Sequence, residues 1–264
     1  MKNKFSIITV VKNDKNNILT TLNSVKNQNY SNYEHLVLDG NSNDGTSSII
    51  KNNLSKKIKY FRQKDKNLYN AINKGISKSK GDYVMLLHSG DLFYNSKVIK
   101  NINMSLCKNE DFLYGNLIYY KNFIINRIWE FSSKNLNHYN TSKIAHPTLI
   151  VKTTLLKKVK YNEKYKISSD TDFLIRLLKI KKLKYKKLNK YFVYMLSGGL
   201  STSLNNSLQK IKEDIAIYIN HFNYRGIFIY FYKLLIKLKG FFIDKNKTNK
   251  LRLNLIKELK ILQK

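Results

Sequence analysis

The sequence predicts an α/β chain, a doubly wound and mostly parallel sheet followed by a helical C-terminal extension. Three observations carry this. Short apolar runs alternate with stripes at helical period over the first 110 or so residues, acids stand where those runs end, and from about Asn205 onward the pattern is helical.

Phe5 to Val11 is a continuous β-branched run that reads as a strand buried on both faces. Asn13 or Asp14 stands where a helix cap is needed, and Ile18, Leu19, Leu22 and Val25 then form one helical stripe. Tyr33 to Gly40 gives a second strand ending in Asp39. A polar turn, DGNSNDGT, leads into a helix from about Ser47 to Leu54. Ile58 to Phe61 is a third strand, and LYNAINKGISKSKG a helix whose Ala71 and Gly75 permit close approach to the sheet. Tyr83 to Leu87 is the fourth strand, and after HSGD comes a helix carrying Val98, Ile99 and Ile102. In such a sheet ligands bind beyond the carboxyl ends of the strands, where Asp39 and Asp91 lie. Beyond Asp111, FLYGNLIYY and NFIINRIWEF read as a hairpin. A helix is expected over Asp170 to Ile180, a strand over Tyr191 to Leu196, and a flexible glycine loop in SGGLSTS.

The charge is extreme: 49 Lys and Arg face 17 Asp and Glu, a formal +32. Two readings stand, an AT-rich coding bias toward lysine or an anionic partner. The chain lacks an RNA-binding aromatic signature, a zinc spacing and a basic recognition helix, so nucleic acid is not an expected partner. Cys107 is the sole cysteine, which excludes an intrachain disulfide and a cysteine-based zinc cluster. No apolar stretch is long enough to span a bilayer, and Phe5 to Val11 is not followed by a small-residue cleavage site.

Four segments stand in a telling order: FSIITVVKN, LVLDGNSNDGT, DKNLYNAINKG, and the Gly-Asp pair at 90 and 91. A fifth, YKISSDTDFLIRL, follows at Tyr165 to Leu177. Over roughly residues 4 to 180 the chain resembles bacterial family 2 inverting glycosyltransferases of the GT-A fold, those that build surface polysaccharide. The resemblance implies a donor-binding half over about 1–110 and an acceptor and catalytic half over about 111–204, and the helical pattern beyond them reads as a basic amphipathic tail over 205–264. It implies a nucleotide-diphosphate-sugar donor, a glycan or lipid-linked acceptor, and a divalent cation, Mn or Mg. Asp91 resembles the last acid of the family's metal-binding D-x-D element, with His88 and Gly90 where other acids often stand. The other reading of Asp91 is a helix cap before Leu92. Asp39 resembles the acid that reads the nucleobase, although Gly40 replaces its neighbouring acid. Thr9 resembles a residue whose backbone touches the base, and Asp65 a donor-site acid. Asn70 replaces an Asp usual in the family. Asn73, Lys74 and Gly75 serve either the donor or their helix, and Asp44 fits turn chemistry. The departures at Gly40, Asn70 and His88 leave a second reading, a protein that binds nucleotide-sugar without transferring it.

Inverting transfer needs one carboxylate as general base near the acceptor hydroxyl. Ser169 and Asp172 stand as S-x-x-D before an apolar run, a capping-box arrangement that gives Asp172 a structural task. Asp170 is left in the first helical turn, and the resemblance also places the base there. His146, beside the sole proline, is either an acceptor-site residue or an ordinary loop histidine. Trp129 and the tyrosines around it stack on sugar or fill core, and Gly198 and Gly199 fit a loop over the donor. Residues 225–243 mix aromatic and aliphatic bulk with Arg225, Lys233, Lys237 and Lys239. This suits a helix lying on an anionic membrane surface, and a cytoplasmic protein peripheral to the inner face of the cytoplasmic membrane. The other reading is a helix that covers the catalytic body or a homodimer partner.

Overall fold

The computed structural model describes residues 2–106, 110–131, 136–199, 206–239, 241 and 245–263. Cys107 and the part of the SGGLSTS loop after Gly199 lie outside them. The first half is four strand and helix units: β1 (Phe5–Val11), α1 (Ile18–Lys26), β2 (Tyr33–Asp39), α2 (Thr46–Asn52), β3 (Ile58–Arg62), α3 (Leu68–Lys78), β4 (Tyr83–Leu86), β5 (Leu92–Phe93) and α4 (Val98–Ser105). β3, β2, β1 and β4 lie side by side and parallel in that order. The order reverses between β1 and β4, which opens a crevice beyond their carboxyl ends.

The second half completes the sheet with mixed pairing. β6 (Phe112–Lys121) and β7 (Ile124–Trp129) form the expected hairpin, closed by Asn122 and Phe123, both at positive φ as a two-residue turn demands. β8 (Ile150–Lys152) runs antiparallel to β4 and β6. β9 (Tyr185–Leu196) lies parallel to β6 and antiparallel to β5. Between β8 and β9 stand α5 (Thr153–Val159) and α6 (Ser169–Leu178), and the chain ends in α7 (Ser207–Phe222), α8 (Arg225–Lys239) and α9 (Lys245–Leu262). β9 is thus twice as long as the apolar run Tyr191 to Leu196 suggested. Its first half carries lysines on an exposed edge, which a hydrophobic pattern does not register.

Several local expectations are corrected. α1 starts at Ile18 behind Asn17. Asp14 accepts from the Asn17 side chain instead of capping, and Leu19 faces solvent, leaving Ile18, Leu22 and Val25 as the buried stripe. Asp91 is no helix cap: Leu92 and Phe93 form β5, and the next helix begins at Val98. Asp44 performs the turn chemistry foreseen, accepting from Thr46 and from the Lys15 N–H.

The tail is docked on the body. Leu251, Leu255, Leu259 and Leu262 of α9 form one buried stripe over β6, β7 and β9, and Asn254 donates to the Tyr194 hydroxyl. α7 and α8 share a second small core, in which Ile217, Tyr218 and Tyr230 pack on Tyr165 and Ile175.

α3 approaches the sheet closely through Gly75. A Cβ there would stand 2.8 Å from Ile8 Cγ2 and 3.1 Å from Leu38 Cδ1, both in the core of the parallel sheet. Gly75→Ala therefore trades helix propensity for overpacking, with an expected net cost of roughly 1–3 kcal/mol in denaturant unfolding. An unchanged midpoint would mean that the helix rides higher on the sheet than described.

Candidate active site

The crevice at the strand order reversal opens into a cleft of about 860 Å³. Val10, Val11 and Lys12 at the end of β1, and His88, Ser89 and Asp91 after β4, form its floor. Asp65 and the start of α3 form one wall. The start of α6 with Asp170, the β7 residues Arg127 and Trp129, and the tail residues Lys210, Lys233 and Lys237 form the other.

Of the residues picked out from the sequence, the cleft unites Asp65, Asp91 and Asp170. Asp91 is almost wholly buried, and its carboxylate accepts from the Leu196 N–H at 3.1 Å. Burial pushes it up to about 7, against the backbone hydrogen bonds that favour its ionised form. Asp65 accepts through Oδ1 from Lys74 at 2.7 Å and from Gln63, while its buried Oδ2 has no protein partner. That orphaned acceptor lies where a ligand N–H or hydroxyl can meet it. His88 Nδ1 and Ser89 Oγ beside Asp91 are orphaned in the same way.

Four other expected contacts are not in the wall. Thr9 is fully buried under the sheet, donating to the Leu87 carbonyl and bonded to His35, so its neighbours Val10 and Val11 line the cleft instead. Asp39 is also fully buried and accepts from the Ser42 N–H, Ser47 and Tyr60. Burial raises it, but those donors hold it below the ordinary carboxylate range, and it organises the loop after β2 while Gly40 reaches the cleft. Lys74 serves Asp65 as a salt-bridge partner. Asn73 exchanges hydrogen bonds with the Tyr161 backbone and donates to Glu163, which Asn70 also holds at 2.9 Å. The helix is thereby bolted to the segment that leads into α6.

That bolting positions Asp170. Tyr69 of α3 donates to the Ile167 carbonyl at 2.7 Å and accepts from the Asp170 N–H, fixing the first turn of α6. Tyr69, Tyr161 and Phe173 stack in succession, and Tyr161 bonds His146 Nε2 at 2.7 Å. Burial lowers the His146 pKa, with the Asp170 carboxylate pulling the other way, so the imidazole is neutral at pH 7. Burial, and then Asp170, drive both tyrosine hydroxyls above their ordinary range.

Asp172 has a structural task, but not the expected one. Ser169 Oγ is buried without a partner and no capping box forms. Asp172 instead accepts from Arg176 Nε at 2.7 Å and pairs with His221 Nε2 at 2.9 Å, which ties α6 to α7. Its burial raises it, but these partners win and hold it below the ordinary range.

Lys233 and Lys237 point inward, against the expectation that they face a membrane, while Arg225 is exposed. Lys233 is buried and pairs with Asp214 at 2.9 Å, and Lys237 lines the cleft. The sequence shows bulk and charge in α8 but not which face each takes, because apolar residues cover nearly its whole circumference.

The raised pKa of Asp91 makes a prediction. The folded chain retains a proton that the unfolded chain releases, so stability falls as pH rises from about 4 to about 7. Asp91→Asn removes this penalty. The variant is expected to be more stable than the parent at pH 8 by roughly 2–4 kcal/mol, narrowing to about 1 kcal/mol at pH 4.5. Equal melting temperatures at pH 8 would contradict the burial described.

Comparison with known proteins agrees with this geometry. The profile described as glycosyl transferase family 2 matches residues 6–168. An uncharacterized glycosyltransferase of Rickettsia bellii is 32% identical over 117 residues, 44% of this chain and 17% of the relative. The chain spans only 17%, 19% and 29% of three such Rickettsia relatives. A PGL/p-HBAD biosynthesis glycosyltransferase of Mycobacterium bovis is 25% identical over 178 residues, 65% of this chain and 68% of the relative. Among solved structures, S. aureus TarS 1-349 in complex with UDP-GlcNAc superposes with a TM-score of 0.64 at 20% identity, covering 88% of this chain and 72% of that one. The mannosyltransferase PcManGT from Pyrobaculum calidifontis, in complex with GDP-Man and Mn2+, gives 0.59 at 13% identity over 83% and 64%. With the matched profile covering well over half of its length and its sheet built as in the GT-A structures, the chain belongs to glycosyl transferase family 2.

Proposed function

We propose that the chain is an inverting glycosyltransferase that moves a sugar from a nucleotide-diphosphate sugar to a hydroxyl of a glycan or lipid-linked acceptor in surface-polysaccharide synthesis. The observation that carries this reading is the convergence of Asp65, Asp91 and Asp170 on one cleft at the strand ends. The UDP-GlcNAc of TarS and the GDP-Man of PcManGT support the donor class.

In this reading the acceptor oxygen bonds to the anomeric carbon as the bond to the diphosphate breaks. The electron pair leaves with the diphosphate, and the hydroxyl proton passes to Asp170. Asp170 suits the task because it faces the cleft, whereas both Asp172 oxygens are committed to Arg176 and His221. Neutral His146, fixed by Tyr161, is placed to orient the hydroxyl. Asp65 Oδ2 takes a donor hydrogen bond. No set of three metal-ligating side chains occurs among the described residues, which excludes an all-protein cage. One buried carboxylate with the donor's own phosphate oxygens does fit a Mg or Mn ion. Asp91 would hold that cation, which when bound neutralises charge on the departing diphosphate.

A panel of nucleotide-sugars, scored by thermal stabilisation and then by transfer, tests the donor reading. Asp170→Asn is expected to lower turnover by roughly 10²–10⁴-fold with donor affinity nearly unchanged. Asp172→Asn is expected to lose roughly 1–3 kcal/mol of stability while keeping turnover per folded molecule. A reversed pattern moves the base to Asp172. Donor binding without transfer in the parent would favour a nucleotide-sugar-binding protein.

We also infer that α8 rests on an anionic membrane. Phe228, Phe231, Tyr232, Leu235 and Leu238 form one exposed stripe, with Phe228 74% and Leu235 62% accessible, while Lys233 and Lys237 face the cleft. None of the described helices is long and apolar enough to cross a bilayer. The formal charge of +32 complements anionic lipid. Replacing Phe228, Phe231 and Leu235 by serine should abolish sedimentation with phosphatidylglycerol vesicles, whereas Lys237→Met should not. Retained sedimentation of the triple variant would place the anchor elsewhere.

A further inference from the structure

The end of the cleft nearest Asp170 gathers more positive charge than the transfer reaction needs. Arg127 from β7, Lys210 from α7, and Lys233 and Lys237 from α8 all line it. Lys233 is neutralised by Asp214, and Asp170 is the other carboxylate whose field reaches the group. The field of Asp214 reaches Lys210 and Lys237 as well.

Their setting excludes a purely structural role. The Arg127 guanidinium lies 4.4 Å from the Trp129 ring, 4.5 Å from Phe241 and 5.3 Å from Tyr119, and it donates to the Lys237 carbonyl at 2.9 Å. Its Nε is buried with no acceptor, and so is Trp129 Nε1. Two orphaned donors in a cleft wall, beside charges of the same sign, call for a ligand that supplies acceptor oxygens and negative charge. Burial and then the neighbouring cations pull Lys237 well below the ordinary lysine range, and burial lowers Lys210 in the same direction.

We propose that Arg127, Lys210 and Lys237, with Trp129 Nε1, form an oxyanion subsite that takes a phosphate group carried by the acceptor. This rests on Asp170 being the base. Asp65 and Asp91 lie at the strand ends on the donor side, whereas the cations come from β7 and the tail helices. Thr171, the residue after Asp170, accepts from Lys233 at 3.0 Å, which links the subsite to the catalytic turn. An acceptor phosphate held there sits beside the carboxylate that deprotonates the acceptor hydroxyl. A neutral glycan brings no anionic oxygen to Arg127 Nε and Trp129 Nε1.

The test uses the full chain and inorganic pyrophosphate as probe. Trp129 is the only tryptophan, so its fluorescence reports the subsite directly. The donor site is first saturated with whichever of UDP, GDP and CDP binds most tightly. Pyrophosphate is expected to bind the saturated protein and shift Trp129 emission. Lys237→Met and Lys210→Met are expected to weaken that binding at least tenfold and nucleotide binding less than twofold. Lys237→Met should melt no lower than the parent, because it removes a buried cation from beside others. Three results would overturn the proposal: no pyrophosphate binding once nucleotide is bound, variants that weaken nucleotide as much as pyrophosphate, or binding indifferent to both variants. The second assigns the cations to the donor's diphosphate, and the third marks an adventitious ion only. If no nucleoside diphosphate binds the parent, the donor reading fails, and pyrophosphate titrated alone with the same variants still decides the subsite.

Discussion

The buried pair of Lys233 and Asp214 is the interaction on which the wall of the cleft beside Asp170 depends. Both side chains are about 5% exposed, and Thr171 joins them by accepting from Lys233 and donating to Asp214. One contact therefore fastens α6, α7 and α8 together, one residue from Asp170. Removing two charges from water costs several kcal/mol each, so the pair contributes little net stability and fixes geometry instead. Asp214 holds Lys233 protonated above its ordinary range against burial, and Lys233 keeps Asp214 ionised below its own. Both charges persist across neutral pH. Loss of either partner leaves the other buried and unpaired beside the first turn of α6.

The cleft divides its labour along the fold. The parallel half supplies a rigid floor from strand ends, with the Asp91 carboxylate held close by the Leu196 N–H of β9. The α3 helix supplies position: Asn70 and Asn73 grip Glu163, and Tyr69 grips the entry to α6. The tail supplies the wall facing Asp170 and turns its apolar stripe outward. One helix thus turns Lys233 and Lys237 toward the cleft and its apolar bulk toward the surroundings.

The parallel half was legible because each of its strands is a short apolar run ending in a polar turn, and the sheet order follows from right-handed crossovers. Motif order pointed to Asp65, Asp91 and Asp170, and the fold brings these three to one cleft. Asp39, Asn73 and Lys74 stand in the same motifs, yet their side chains satisfy the protein itself, and only hydrogen-bond geometry separates a residue that lines the cleft from one that holds a loop. The capping spacing of Ser169 and Asp172 marked the right carboxylate as structural through the wrong partner, because Arg176 and His221 reach Asp172 from the next helical turn and from α7. Arg127, Lys210 and Lys237 were hidden among 49 basic residues. A lysine directed into a cleft carries no sequence mark when most of its kind are on the surface. The face of α8 was hidden for the corresponding reason, its apolar residues being too many to define one side.

The claim that a buried ion pair holds the tail helices against the first turn of α6 is tested most directly by amide hydrogen exchange on Lys233→Met compared with the parent. The account predicts faster exchange, by tenfold or more, across α8 and the first turn of α6, with β1 to β4 unchanged. Protection of α8 and α6 equal to that of the parent would contradict it, and would show that apolar packing alone closes the cleft.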